Sequence, residues 1–516
     1  MGVRWACRRW YSKGRLALLA ACVTAAYAGA ADHTTYVVTL PGADRATLAR
    51  VEAAGGVLDH FDGHTARAYV RIAHWDAFLA AGIPHVIVEV QPAGEKQLDG
   101  YPTYAGLSVL LADAAANHPE IVRLMSLGRS VQGRELWALR ITDNPDVEED
   151  EPEFAYISTM HGDEKVGTVL CLNFLALLLD GYGADAQITE FIDETEIWLV
   201  PLMNPDGYEL GIRWNANNQD LNRVFPEFSR DFTQTIYTDG LPATASRQPE
   251  VAHIMHWTAD NSLVLLANYH SGALVVNYPY DEEPGIASGR DAPTPDDALM
   301  RDISLAYADL NPPMSASLAF PGGISNGSAW YSISGGMQDW HYRYTGAIDL
   351  TLEVSVVKSP NSSALVGLWN DNREAMLAYL ALVHRGARGV VTDRATGEPL
   401  YAQVLAGDNS QPVFTDPDVG DYYRLLLPGA YALRVESPGY IPYTTGAITV
   451  TGSAAARADV VLSRGDVNGD GEVNAADLQL VINAVLELNT LEAADVDGRG
   501  VSATDVQHLV NRVLHR

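Results

Sequence analysis

The chain has 516 residues, 47% of them hydrophobic and 44 of them glycine, which is enough for three or four domains with cores of their own. It carries 34 Lys and Arg against 65 Asp and Glu, a formal net charge of −31 that a nucleic-acid backbone or an anionic membrane surface would repel. Most of that charge belongs on a solvated surface rather than in a substrate funnel.

Residues 1–30 read as an export signal. Arg4, Arg8, Arg9, Lys13 and Arg15 precede an apolar run over 16–26, and Ala28-Gly29-Ala30 supplies a small-residue cleavage site. A secreted protein is expected. Leu19-Ala20-Ala21-Cys22 as a lipoprotein box, or Arg8-Arg9 as a twin-arginine signal, gives the lipid-anchored or periplasmic alternative. No later run reaches the roughly 20 apolar residues that span a bilayer, so no integral membrane segment is expected in the mature form. Cys7 and Cys22 lie in the signal, and Cys171 alone forms no internal disulfide, so stability has to come from packing or bound metal.

Residues 31–96 alternate short apolar runs (35–40, 66–72, 85–90) with amphipathic stretches (44–54, 73–81), the pattern of a small β-α-β-β-α-β α+β domain. The pattern resembles the propeptides that precede secreted proteases such as subtilisins, which implies a folding aid or inhibitor; a permanent accessory domain is the alternative. Residues 97–385 alternate strands and helices, for example 154–159, 166–179 and 196–203, and predict an α/β domain with a mixed sheet. From 386 to 463 short strands between Gly, Pro and Asp turns, such as 422–427 and 431–436, predict a small all-β sandwich. Residues 464–516 are a duplicated module: segments 466–486 and 495–514 each run from an Asp- and Gly-rich loop into an amphipathic helix.

The chemistry concentrates in residues 97–385. His161 and Glu164 stand three apart after an apolar strand, and His270 ends another over 263–269. Two neutral imidazoles and a carboxylate are the ligand set of a catalytic zinc site that keeps a fourth position open, and strand ends are where ligands of open α/β sheets collect. His253 and His256 are also three apart, but on a predicted helix with Trp257, where they read as a packed amphipathic face. Glu353 is a lone acid among Leu350, Leu352, Val354, Val356 and Val357, an unusual setting for a surface charge.

Three further motifs follow in the order of one family: Asp220-Leu221-Asn222-Arg223, Gly335-Gly336-Met337-Gln338-Asp339-Trp340 and Leu350-Thr351-Leu352-Glu353-Val354. Over about residues 98–463 the chain resembles the zinc metallocarboxypeptidases. Segment 270–281, with Gly323-Ile324-Ser325-Asn326-Gly327 and Ala329-Trp330-Tyr331, is similar to the regulatory subfamily of carboxypeptidases N, E and D. The resemblance implies one Zn2+ on His161, Glu164 and His270, with Asp220 orienting His161 through its second ring nitrogen. It implies that Glu353 is the general base, relaying a proton from the attacking water to the leaving amine, and that Arg213 stabilises the developing oxyanion. Asn222 and Arg223 match a clamp for the substrate's terminal carboxylate, with Tyr331 as its mobile cap. Asp281 and Gln338 match the positions that select a C-terminal Arg or Lys, and residues 386–463 match a transthyretin-like sandwich. Val224, and Asn218-Gln219 before Asp220, depart from the family's usual residues and bear on the loop around the clamp. The expected activity is zinc-dependent removal of the C-terminal residue of peptides or proteins. The alternatives are a broad-specificity or cell-wall-peptide exopeptidase, and a catalytically silent protein that binds partners through its sandwich and C-terminal module.

In that module Asp466, Asn468, Asp470, Glu472 and Asp477 occupy loop positions 1, 3, 5, 7 and 12 of an EF-hand calcium pattern, with Glu472 contributing its backbone carbonyl and Asn474 at position 9. The end of the chain resembles a dockerin, which implies bound Ca2+ and a cohesin-bearing scaffold as partner; a calcium-stabilised cap without a partner is the alternative. The second loop carries Arg499 where an acid belongs and is one residue short, so one firm calcium site and one doubtful site are expected.

Overall fold

The computed structural model describes residues 34–61, 63–91, 100–227, 247–470, 473–486, 488, 492–496 and 500–514. The expected export signal, Glu472 and Arg499 lie outside the described residues.

The chain divides near residue 96 into two units. The first contains β1 (Thr35–Pro41), a helix over Arg45–Ala53, β2 (Val57–Phe61), β3 (Thr65–Arg71), a helix over Ile72–Ala80 and β4 (Val86–Gln91). Asp44 starts the first helix by accepting a hydrogen bond from the Thr47 amide at 2.8 Å. The sheet order is β2-β3-β1-β4, with the pairs antiparallel and Val38 and Leu40 of the central strand wholly buried. This is the element order that the alternating runs predicted.

The second unit is built on an eight-stranded mixed sheet. Its strands are β5 (Val122–Arg129), β6 (Glu135–Ile141), β7 (Glu153–Ser158), β8 (Glu196–Val200), β9 (Leu263–His270), β10 (Leu274–Tyr278), β11 (Ile324–Asn326) and β12 (Ile348–Val354), in the order β11-β10-β12-β9-β7-β8-β6-β5. The middle strands β8, β7, β9 and β12 are parallel, and β7, β8 and β9 are buried along their whole length. A parallel strand covered by helices on both faces reads as a continuous apolar run, and these do. Phe154 and Tyr156 face one core with the helices over Val166–Gly181 and Ser362–Ala381, while Ala155 and Ile157 face a second core with the helix over Pro249–Ala259. The predicted strand over 196–203 stops at Val200 because Pro201 follows.

After residue 386 the strands are short. β13 (Ala387–Asp393) pairs with β16 (Asp421–Arg424), β21 (Ala456–Arg457) and β22 (Val460–Leu462). A second sheet runs β15-β14-β18-β19, made of β14 (Gln403–Ala406), β15 (Val413–Phe414), β18 (Leu433–Glu436) and β19 (Tyr443–Thr444). The run predicted as one strand over 431–436 is divided: β17 (Gly429–Tyr431) pairs with β20 (Ile448–Val450), and β18 pairs with β14. A change of partner at Ala432 lets both segments feed one core with Val391, Val404 and Leu462. Arg424 of β16 donates from Nη2 to both carboxylate oxygens of Asp296 at 2.9 Å, and the Tyr342 hydroxyl donates to Asp296 at 2.7 Å, so a buried ion pair ties these strands to the large sheet's domain.

The C-terminal helices Ala475–Val485 and Ala503–Leu514 repeat one design. Asp477 accepts from the amides of Val467 and Asn474, each at 2.7 Å, and Asp505 accepts from those of Val496 and Ser502, also at 2.7 Å. Among the described residues no single helix is long and apolar enough to cross a membrane.

Candidate active site

The topology carries the C-terminal ends of β7, β9 and β12 to one edge of the sheet. After β7 the chain turns through Thr159, whose φ of 55° is left-handed, and enters the loop that carries His161 and Glu164. Gly162 in that loop admits no side chain, since a Cβ there would lie 2.0 Å from the carbonyl carbon of Gly207. β9 delivers His270 as its last residue, and Glu353 of β12 stands opposite His270 in the parallel register. β12 lies between β10 and β9, so Glu353 is on an interior strand and not an exposed edge.

His161, Glu164 and His270 are buried and bring ligand atoms within 4.8 Å of one another. His161 Nδ1 is 3.0 Å from Glu164 Oε1, and His270 Nδ1 is 2.9 Å from Glu164 Oε2. The other ring nitrogen of His161 is 3.0 Å from Asp220 Oδ1. Burial pushes the Asp220 carboxyl up, but Arg213, His161 and Arg223 outweigh it and hold the group well below the usual range. Asp220 is therefore an acceptor for His161 Nε2–H, and Nδ1 faces the Glu164 carboxylate. The donor set of two imidazoles and a carboxylate, gathered within 4.8 Å, suits zinc. Burial also pulls His270 below its ordinary value, ahead of the upward pull of Glu164, which keeps it in the neutral form that ligates a metal. The residues present fit a zinc ion.

Arg213 is buried, donating from Nε to Asp220 Oδ2 at 2.9 Å and from Nη1 to Glu164 Oε1 at 3.3 Å. One guanidinium thus braces both the Glu164 and the Asp220 carboxylates. Asn222 lies in the short turn over Leu221–Arg223, capped by Asp220, and its Oδ1 accepts from the Met337 amide at 2.9 Å. Arg223 donates to the Asn222 carbonyl, and its charge favours the ionised forms of both Asp220 and Asp281.

Asp281 is 2% exposed. Its Oδ1 accepts from Gln338 Nε2 at 2.9 Å and from Asn277 Nδ2 at 3.2 Å, and Gln338 is itself held by the Thr351 amide on β12 at 3.0 Å. Gly327 and Gly336 pack against Asp281, where a Cβ would stand 1.9 Å and 2.9 Å from its oxygens. Burial and the neighbouring Asp339 push the Asp281 carboxyl well above its usual range, so the site favours an incoming cation. Tyr331 packs edge-on against Trp330, with ring centroids 4.9 Å apart, beside Ala273, Val275 and Phe320.

The structure brings together the residues that the motifs singled out around His161 and Asp281. His253 and His256 lie apart from them, on the helix that buries Val251, Ile254 and Trp257, as the amphipathic reading expects. Sequence reasoning missed Lys358, whose Nζ is 2.6 Å from Glu164 Oε1 and helps hold that carboxyl below its usual range. It also missed Asp339, which accepts from the Asp281 amide at 2.8 Å. Lys358 sits five residues past Glu353, a spacing with no meaning until the strand end folds back over the site. In the C-terminal module the Asp466 carboxylate accepts from the Gly469 and Asp470 amides, and Asn468 Nδ2 donates to Asp470, so the loop acids gather at one turn.

Residues 107–375 match the family model described as zinc carboxypeptidase, and residues 464–514 match that of the dockerin type I domain. Mouse carboxypeptidase D is 38% identical over 390 residues, 72% of this chain, but the chain spans only 27% of that protein's length. Mouse carboxypeptidase M is 37% identical, with 69% of this chain and 82% of the relative covered. The mouse carboxypeptidase N catalytic chain is 37% identical, with 64% and 79% covered. The crystal structure of thrombin activatable fibrinolysis inhibitor shares the fold at a TM-score of 0.50 and 16% identity, covering 67% of this chain and 98% of that one. With the model matched across more than half of the chain and a carboxypeptidase aligned over most of its own length, the chain belongs to the zinc carboxypeptidase family.

Proposed function

We propose that this protein is a secreted, zinc-dependent metallocarboxypeptidase that removes the C-terminal residue of peptides or proteins and prefers Arg or Lys. The observation that carries the reading is the placement of a buried His-Glu-His cluster, Glu353 in register beside it, and a buried carboxylate packed against two glycines. His161, Glu164 and His270 hold the metal. A zinc ion held there would supply Lewis acidity to the scissile carbonyl and the attacking water, so that a carboxylate suffices as base. Glu353 takes the proton of the attacking water and delivers it to the nitrogen of the leaving residue, the two-way role of a positioned carboxylate. Arg213 faces the charge that develops on the carbonyl oxygen. Asn222 and Arg223 bind the terminal carboxylate, Tyr331 covers it, and Asp281 with Gln338 receives the cationic side chain. The dockerin domain supports an extracellular location and attachment to a cohesin-bearing scaffold, with calcium held by the first loop through Asp466, Asn468, Asp470, Glu472 and Asp477. Residues 386–463 are a transthyretin-like sandwich in this reading.

The test is an assay on matched peptides ending in Arg, Lys, Phe and Ala, with and without a zinc chelator. Chelator-sensitive release of Arg and Lys is expected, and Glu353→Gln, with its zinc retained, is expected to fall by about 10²–10⁴-fold in kcat. Zinc-loaded protein that releases no residue, or whose activity survives Glu353→Gln, overturns the reading.

A further inference from the structure

At the opposite end of β7 from the histidine cluster lies a second group of acids that the proposed reaction does not use. Glu148, Glu153 and Glu196 bring carboxylate oxygens within 4.8 Å of one another, with Glu153 and Glu196 buried and Glu148 half-buried. Arg140 answers them, donating from Nη2 to Glu148 Oε2 at 2.9 Å and to Glu196 Oε2. Three carboxylates against one guanidinium leave two negative charges in excess. The remaining donors are few: the Ser262 amide to Glu153 Oε1 at 2.6 Å and Trp198 Nε1 to Glu196 Oε1 at 2.6 Å. Glu153 Oε2 is buried and has no hydrogen-bond partner, a costly state for a carboxylate removed from water.

Space adjoins this oxygen. A cavity of about 80 Å³ at the junction of the large-sheet domain with the following β-strands is lined by Glu148, Glu151, Glu153 and by Asp421 of β16. It is well above the ~10–15 Å³ that one water needs. Burial pushes Glu148 up to about 7 and Asp421 up to about 8, and burial with the charges of Glu196 and Glu148 also pushes Glu153 well above the usual carboxylate range. Arg424 also lines the cavity, but its guanidinium is paired with Asp296 rather than with these acids.

We propose that Glu148, Glu153 and Glu196 bind a calcium-type divalent cation at this junction. The excess of two negative charges matches a divalent ion, and a donor set made only of carboxylate oxygens is hard, suiting calcium rather than zinc. With Asp421 on the far wall, the ion ties the β-strand domain to the large sheet.

The test uses full-length, zinc-loaded protein and Tb3+ as the probe, read by emission sensitised through indole excitation. Trp198 is hydrogen-bonded to a ligand carboxylate and serves as the antenna, whereas residues 464–516 contain no Trp, Tyr or Phe, so the dockerin loops are silent. Saturable emission that Ca2+ competes away, and that weakens at least tenfold in Glu153→Gln, is expected. Glu148→Gln, at a half-buried loop position, decides in place of Glu153→Gln if the latter fails to unfold cooperatively. Absence of a Ca2+-competed signal, or wild-type emission in the folded variant, overturns the proposal and shows that protons neutralise the acids instead.

Discussion

Replacing Asp281 by Asn separates recognition of the side chain from the chemistry at the histidines. Asparagine keeps the shape of the group and a carbonyl oxygen for Gln338 and Asn277, but it removes the charge. Loss of one charge from a buried pair costs about 2–5 kcal/mol. Asp281 is 2% exposed, so solvent gives no screening discount. Because the amide still offers neutral hydrogen bonds, ~3 kcal/mol is the working value, or about 150-fold in kcat/KM at 1.4 kcal/mol per decade. The assay is kcat/KM for matched peptides ending in Arg, Lys, Phe and Ala on both proteins. Arg and Lys peptides are expected to lose about 150-fold, and Phe and Ala peptides to stay within about threefold. The pH dependence has a definite sign. The Asp281 carboxyl is raised, so it becomes neutral as pH falls through that raised value, and the wild type then loses its advantage for Arg on the acid side. The Asn variant and the Phe peptide lack this limb. Equal losses for Arg and Phe, or no loss for either, refute the assignment of Asp281 as the specificity group.

Asp220→Asn leaves only a neutral acceptor for His161 and removes the charge that raises its basicity, so zinc affinity measured by chelator competition is expected to fall about 10–100-fold. Gly327→Ala puts a methyl group where the Asp281 oxygen stands, 1.9 Å away, and is expected to raise KM for Arg peptides with kcat for Ala peptides preserved; steady-state kinetics on the two substrates check it. Arg424→Met strands Asp296 as a buried charge, and a loss of ~3–5 kcal/mol is expected in chemical denaturation, partly restored by adding Asp296→Asn.

The N-terminal element order, the alternation of the large domain and the duplicated C-terminal helices were legible because each is a local periodic signal. The ligand residues were legible because His161-x-x-Glu164 and the terminal His270 are short patterns beside apolar strands. The division at Ala432 was not, since a run of strand-forming residues does not state which sheet each half will join. Lys358, Asp339 and the Glu148, Glu153 and Glu196 cluster were equally silent, their meaning residing in partners 50 or more residues away or across a loop.

By itself the sequence singled out His161, Glu164, His270 and the lone acid Glu353 beside apolar strands, because side-chain type and short spacing are local, while the expected roles of Arg213, Asn222, Arg223, Tyr331, Asp281 and Gln338 rested on the resemblance to the zinc carboxypeptidases. Only the tertiary structure decided that Glu353 stands beside His270, that Arg213 braces Glu164 and Asp220 at once, and that Asp281 is buried between two glycines. Register between parallel strands and burial of a charge are set by packing over the whole sheet, and a linear chain does not encode them at any one position.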